Sequence, residues 1–171
     1  MGFSVSYLAV RGKSHGEVLN ELNSQMTRDI DDALEAPFSC STGYRDWFIL
    51  FANSSIYACT VPLAQLSLDC EIVTCSVEEH VMFSQASLWK DGEEKWSLTH
   101  DAQQSITHLD SIGELPGVFV PLFKAAQYEQ QMTDDVDFFF DIPVNAAKAM
   151  IGFRYDESDG EPFFVVVPSD T

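Results

Sequence analysis

The dipeptide Asp91-Gly92, set between two segments that carry Trp89 and Trp96, constrains the fold more than any other feature of this chain. Asp-Gly supplies the backbone angles that a tight turn requires, so His80 to Lys90 and Glu94 to His100 read as the two arms of a β-hairpin. A loop of four residues would place the tryptophans across from one another, and a loop of two would offset them, so the register stays open. Ser105 to Ile112 is positioned to add a third antiparallel strand.

Strand and helix signals alternate through the rest of the chain. Phe3 to Val10 is rich in Val, Tyr and Phe and reads as a strand, and Ser14-His15-Gly16-Glu17 forms a capping box for a helix from about His15 to Asn23. The acidic run Asp29 to Glu35, ending at Pro37, and the turn-like Ser39 to Gly43 read as a surface connection. Arg45 to Ala52, Ile56 to Thr60 and Cys70 to Val77 read as strands, and Pro62 opens a short helix. Val118, Leu122, Phe123 and Ala126 recur at helical spacing, which predicts a helix from about Val118 to Gln131. Pro143 opens another through Met150, while Phe153-Arg154-Tyr155 and Phe163 to Val167 read as closing strands. The expected fold class is α+β, a largely antiparallel sheet with a central β-hairpin and three or four short helices packed on it. Residues 1–171 form one domain, and the echo of Val61-Pro62-Leu63-Ala64 in Ile142-Pro143-Val144-Asn145 suggests two similar halves.

Composition narrows the function classes. The 171 residues carry 9 Lys and Arg against 27 Asp and Glu, a formal charge of −18, yet 46% are hydrophobic, enough to build a core. Such an excess of negative charge opposes direct binding to nucleic acid or to an anionic membrane, and favours a basic partner. The opening residues lack a basic leader followed by an apolar block, and the longest apolar stretches are strand-sized, so the chain is expected in the cytoplasm. Cys40, Cys59, Cys70 and Cys75 are read as free thiols; five residues apart on one strand, Cys70 and Cys75 fall on opposite faces.

Several motifs point toward chemistry and then fail. Gly12-Lys13-Ser14 sits where a phosphate loop would end, but Tyr7 stands where that motif needs glycine, leaving an ordinary helix cap. His80, His100 and His108 lie beside acidic residues, without a metal-ligand spacing, and converge only if strands fold across one another. Aligning Gly160 with the glycine of a calcium loop puts Tyr155 in the first ligand position and Val166 where the bidentate Glu belongs. That segment reads as a solvated acidic turn. Ser54, Ser76 and Ser84 lack the flanking glycines of a nucleophile elbow. No cofactor, metal or catalytic residue is expected.

Charge is the strongest remaining signal. From Glu129 onward ten acidic residues face only Lys148 and Arg154. The candidate partner-binding residues are Asp134, Asp135, Asp137, Asp141, Asp156, Glu157, Asp159 and Glu161, with Trp89 and Trp96 as aromatic anchors beside Tyr128 and Tyr155.

Leu8-Ala9-Val10-Arg11-Gly12-Lys13, Val77 to Ser84, Thr99-His100-Asp101 and Ile151-Gly152-Phe153-Arg154 resemble a family of small acidic bacterial proteins of uncertain function, across most of the chain. In size and acidity those proteins resemble immunity proteins of polymorphic toxin systems. The resemblance implies a protein that binds and neutralises a cognate basic toxin or effector domain, and no functional residue is carried over from it. Two other readings stand beside it: a phage-type acidic nucleic-acid mimic that inhibits a defence protein, and an enzyme that uses the histidines.

Overall fold

The computed structural model describes residues 2–170. The elements run β1 (Ser4–Arg11), α1 (His15–Glu21), β2 (Ser24–Ile30), β3 (Phe38–Tyr44), β4 (Trp47–Ala52), α2 (Tyr57–Thr60), α3 (Leu63–Leu66), β5 (Glu71–Glu78), β6 (Phe83–Lys90), β7 (Glu93–Asp101), β8 (Asp110–Gly113), α4 (Phe119–Gln130), α5 (Asp141–Ile151) and β9 (Phe164–Pro168). All nine strands join one sheet in the order β2-β9-β3-β4-β1-β5-β6-β7-β8, and every pairing is antiparallel. The protein is therefore α+β with a large antiparallel sheet.

β1 occupies the middle of the sheet, and its residues Tyr7, Leu8, Ala9 and Val10 are all shielded from solvent. Val5, Tyr7 and Ala9 belong to one apolar layer, and Leu8 and Val10 to the other. An unbroken apolar run on a strand signals a sheet covered on both sides. α4 and α5 cover the first face, and the short helices α1, α2 and α3 cover the second. The five helices thus exceed the three or four expected, and they divide between two faces. Pro121 and Pro143 sit in the first turns of α4 and α5, where a missing N–H breaks no helical hydrogen bond.

The hairpin forms around Asp91 and Gly92, both with positive φ (51° and 85°), the geometry of a two-residue turn that matches strand twist. Lys90 faces Glu93, and a bulge after Leu88 sets that residue against Trp96. The tryptophans are consequently offset and fall on opposite faces, Trp96 in the layer with α4 and α5 and Trp89 against the other. The hairpin is not central: β6 and β7 stand near one edge, followed only by β8.

The sequence expectations held at the capping box, where Ser14 Oγ accepts from Glu17 N at 3.2 Å and the Glu17 carboxylate accepts from Ser14 N at 2.9 Å. Ile56 to Thr60 is not a strand: Tyr57–Thr60 forms α2, with Ala58 N donating to Ser6 Oγ across to β1. The supposed surface connection contains two strands, β2 and β3. Phe153-Arg154-Tyr155 is irregular backbone, and the third antiparallel strand shortens to β8. Cys70 and Cys75 do fall in opposite layers, and all four cysteines are free. Among the described residues no helix is long and apolar enough to cross a membrane.

Candidate functional site

The irregular segment between α5 and β9 alternates residues that fix it in place. Phe153 turns inward, its ring meeting Tyr7 at 5.0 Å, Phe163 at 5.3 Å and Tyr44 at 5.4 Å between centroids. Arg154 turns toward α5 and donates to Asp141 Oδ1 at 2.8 Å, Asn145 Oδ1 at 2.8 Å and Asp156 Oδ1 at 2.6 Å. Burial works against the charge on Arg154, but its bonds to Asp156 and Asp141 outweigh burial and raise its pKa. Tyr155 donates its hydroxyl to Glu79 Oε1 at 2.6 Å, and Glu79 Oε2 accepts from Phe3 N at 2.9 Å. One carboxylate thereby sets Phe3 and Tyr155 edge to face, 5.2 Å apart.

A second loop, between β2 and β3, stands opposite. Asp31 donates its N–H to the Phe163 carbonyl at 2.8 Å, and its carboxylate accepts from the Ser39 hydroxyl and from the backbone N–H groups of Glu35 and Ala36. Asn53 donates to the carbonyls of Leu34 and Ala36 at 2.7 and 2.6 Å, which fixes the turn.

Between these loops lies a cleft of about 500 Å³. Its floor is aromatic, formed by Phe3, Tyr44, Phe51, Phe153, Tyr155 and Phe163. Phe3 and Ile30 are its large exposed apolar side chains, at 47% and 59%, while the other rings are buried. Its rim carries Asp31, Asp32, Asp156, Glu157, Asp159 and Glu161, and no Lys, Arg or His lines it. Tyr44 donates to Asp159 Oδ1 at 2.7 Å. Burial, followed by the adjoining carboxylates, pushes the phenols of Tyr44 and Tyr155 well above the usual tyrosine range, so both remain proton donors. Glu157 pairs with Lys148 at 2.6 Å and Asp156 with Arg154. Among the described residues, Asp32 and Glu161 have no such side-chain partner. The arrangement presents an apolar surface under uncompensated negative charge, which suits a cation with a flat or aliphatic body.

The structure divides the sequence-predicted partner-binding residues. Asp156, Glu157, Asp159 and Glu161 gather at the cleft. Asp141 is held by Arg154. Asp134, Asp135 and Asp137 lie in the connector between α4 and α5, beside a second cavity of about 410 Å³ that Asp134 lines with Phe123, Gln130 and Phe139. Gln130 pins that connector, donating to the Thr133 and Val136 carbonyls at 2.9 Å and accepting from Phe138 N at 3.1 Å. Trp96, 2% exposed, is a core residue with no surface to offer a partner, and Trp89 packs largely against the layer of α1 to α3. Sequence reasoning missed Asp31, Asp32, Tyr44 and Phe3 as parts of one site. The acidic run from Asp29 to Glu35 was a visible signal, but only the pairing of β9 between β2 and β3 carries it to residues 156–163.

Of the three histidines, the fold joins two. His100 and His108 have ring centroids 6.3 Å apart, whereas His80 bonds Glu78 in the turn after β5. His100 is fully buried and bonded to Asp137. Among the described residues no group of three His, Cys, Asp or Glu side chains is placed to hold a metal ion.

Comparisons with family models, with curated proteins and with solved structures found no match to this chain.

Proposed function

We propose that this chain is a binding protein that neutralises a basic bacterial toxin or effector domain, acting in the cytoplasm as an immunity protein through an acidic surface. The observation that supports the reading best is the cleft, whose rim holds six carboxylates and no basic side chain over an aromatic floor. A charge of −18 adds long-range attraction, which speeds encounter with a basic surface and repels acidic competitors. The opposing walls are tied down by Asp31, Asn53 and Arg154 before any partner arrives, so little ordering cost falls on association.

The test is affinity capture of the tagged chain from its native cells at low and high salt, with the captured protein identified and its toxicity assayed with and without this chain. A stoichiometric basic toxin, released by salt and silenced by the chain, is the expected result. A partner that is acidic, or a toxin whose activity the chain leaves unchanged, would refute the proposal.

A further inference from the structure

We infer that the cleft between the β2–β3 loop and residues 152–163 receives the guanidinium side chain of an arginine presented by the basic partner; this rests on the proposed reading and narrows it to one chemical group. The lining supplies both halves of such a receptor. Phe3 and Ile30 offer exposed apolar surface to an aliphatic stem, and Asp32 and Glu161 offer carboxylates that no side chain of the described residues has taken up. The four other rim carboxylates are committed: Asp31 to Ser39 and two backbone N–H groups, Asp156 to Arg154, Glu157 to Lys148, and Asp159 to Tyr44.

Charge complementarity sets the sign of the occupant, and the floor selects among cations. A lysine ammonium is a compact, strongly hydrated charge that gains little from an aromatic surface while it keeps its water. A guanidinium is flat, weakly hydrated and able to rest on the exposed Phe3 ring while its edge donates to carboxylates. A metal ion is a poor fit, because the floor offers rings where oxygen ligands are needed. The volume, about 500 Å³, accommodates one long side chain with water and leaves no room for a helix.

The experiment titrates the full chain with the peptide acetyl-Gly-Arg-Gly-amide and with its citrulline counterpart, which keeps the shape and removes the charge, while resonances of Phe3, Tyr44 and Tyr155 are followed by NMR. Saturable binding of the arginine peptide, roughly 10-fold or more tighter than the citrulline peptide and centred on those residues, is expected. The double variant Asp32→Asn/Glu161→Gln, which keeps the shape of both side chains and removes the charge of two carboxylates without side-chain partners, should weaken the arginine peptide about 5-fold or more. Equal binding of both peptides, or shifts centred elsewhere, would overturn the inference. So would capture of a basic toxin with unchanged affinity by the double variant, which would leave the proposed function standing. Arginine binding at the cleft without any captured toxin supports the cleft and counts against the proposed function instead.

Discussion

His100 donates from both ring nitrogens, from Nε2 to Asp137 Oδ2 at 2.7 Å and from Nδ1 to the His108 carbonyl at 2.6 Å. A backbone carbonyl and an ionised carboxylate only accept, so this is the geometry that a doubly protonated, cationic ring satisfies. Burial opposes that charge, but the bonds to Asp137 and His108 outweigh it, and the pKa rises above the ordinary histidine value of 6.5. Asp137 Oδ1 also accepts from Phe140 N at 3.0 Å, so the pair staples β7 to the turn that begins α5. Asp101 adds a second negative charge nearby, and the His108 ring accepts from Asp101 N at Nδ1 and bonds Asp110 through Nε2.

The pH dependence follows from that direction. A folded pKa above the unfolded one gives stabilisation that is complete below about pH 6.5 and disappears as pH climbs through the folded pKa. Asp137→Asn removes the counter-charge, should cost about 3–5 kcal/mol as a broken buried pair, and should flatten the alkaline decline. Denaturant unfolding of both proteins, measured from about pH 5.5 to 9, reads the difference. Parallel profiles for the two proteins would show that His100 is not charged in the fold.

Tyr7 predicts the opposite outcome for a lost polar group. Among the described residues its hydroxyl is buried without a nitrogen or oxygen partner and meets only the Cys75 thiol, a weak one, beneath Phe153 and across the β1–β5 register. Burial pushes the Cys75 thiol up to about 12 and holds the Tyr7 phenol well above its ordinary range, so neither ionises to assist the other. Tyr7→Phe removes a hydroxyl that only a thiol serves, without changing the ring packing, and should leave stability unchanged or raise it by about 1 kcal/mol. A loss above that size in thermal or denaturant unfolding would reveal a hydrogen bond at that oxygen.

Elements with strong local signals were legible in the sequence. Asp91-Gly92 is a strong turn signal between two strand-like segments, and the helix expected from about Val118 to Gln131 matches α4 within one residue at each end. β2 gave no such signal, because it is an edge strand with mostly exposed side chains and no apolar alternation. β3 was hidden for the opposite reason. Ser39 and Ser41 are small polar residues that suit a turn, yet both are fully buried between β4 and β9. The candidate site was half legible: Asp156 to Glu161 stood out as charge, while Asp31 and Asp32 join them through a pairing of residues more than 100 positions apart, such as Met26 with Val166. Local patterns carry no information about that closure.

Arg154 is the joint between α5 and the cleft wall, and its side chain is only 12% exposed. Its planar fork reaches Asp141, Asn145 and Asp156 together, a set that a lysine ammonium on a straight stem cannot span. Arg154→Lys should destabilise the fold by about 1–3 kcal/mol. Amide exchange should accelerate most in residues 155–161, which would lose their tether. Unchanged exchange there, with an unchanged melting temperature, would mean that the aromatic packing of Phe153 alone holds the segment.

Two glycines should respond to alanine with opposite signs. Gly113 ends β8 with φ +83°, and a Cβ there would run into the backbone carbonyl of Lys95, which also accepts from Glu114 N at 2.9 Å. Backbone cannot step aside as a flexible side chain does, so Gly113→Ala should cost about 1–3 kcal/mol and detach β8 from β7. Gly16 lies exposed in α1, and a Cβ there meets nothing within 4 Å. Gly16→Ala lowers the entropy of the unfolded chain and should add about 0.5–1 kcal/mol. Unfolding the two variants side by side, with amide exchange followed across residues 110–113, tests both signs at once. A stable Gly113→Ala with a protected β8 would place that strand's end in a different backbone conformation.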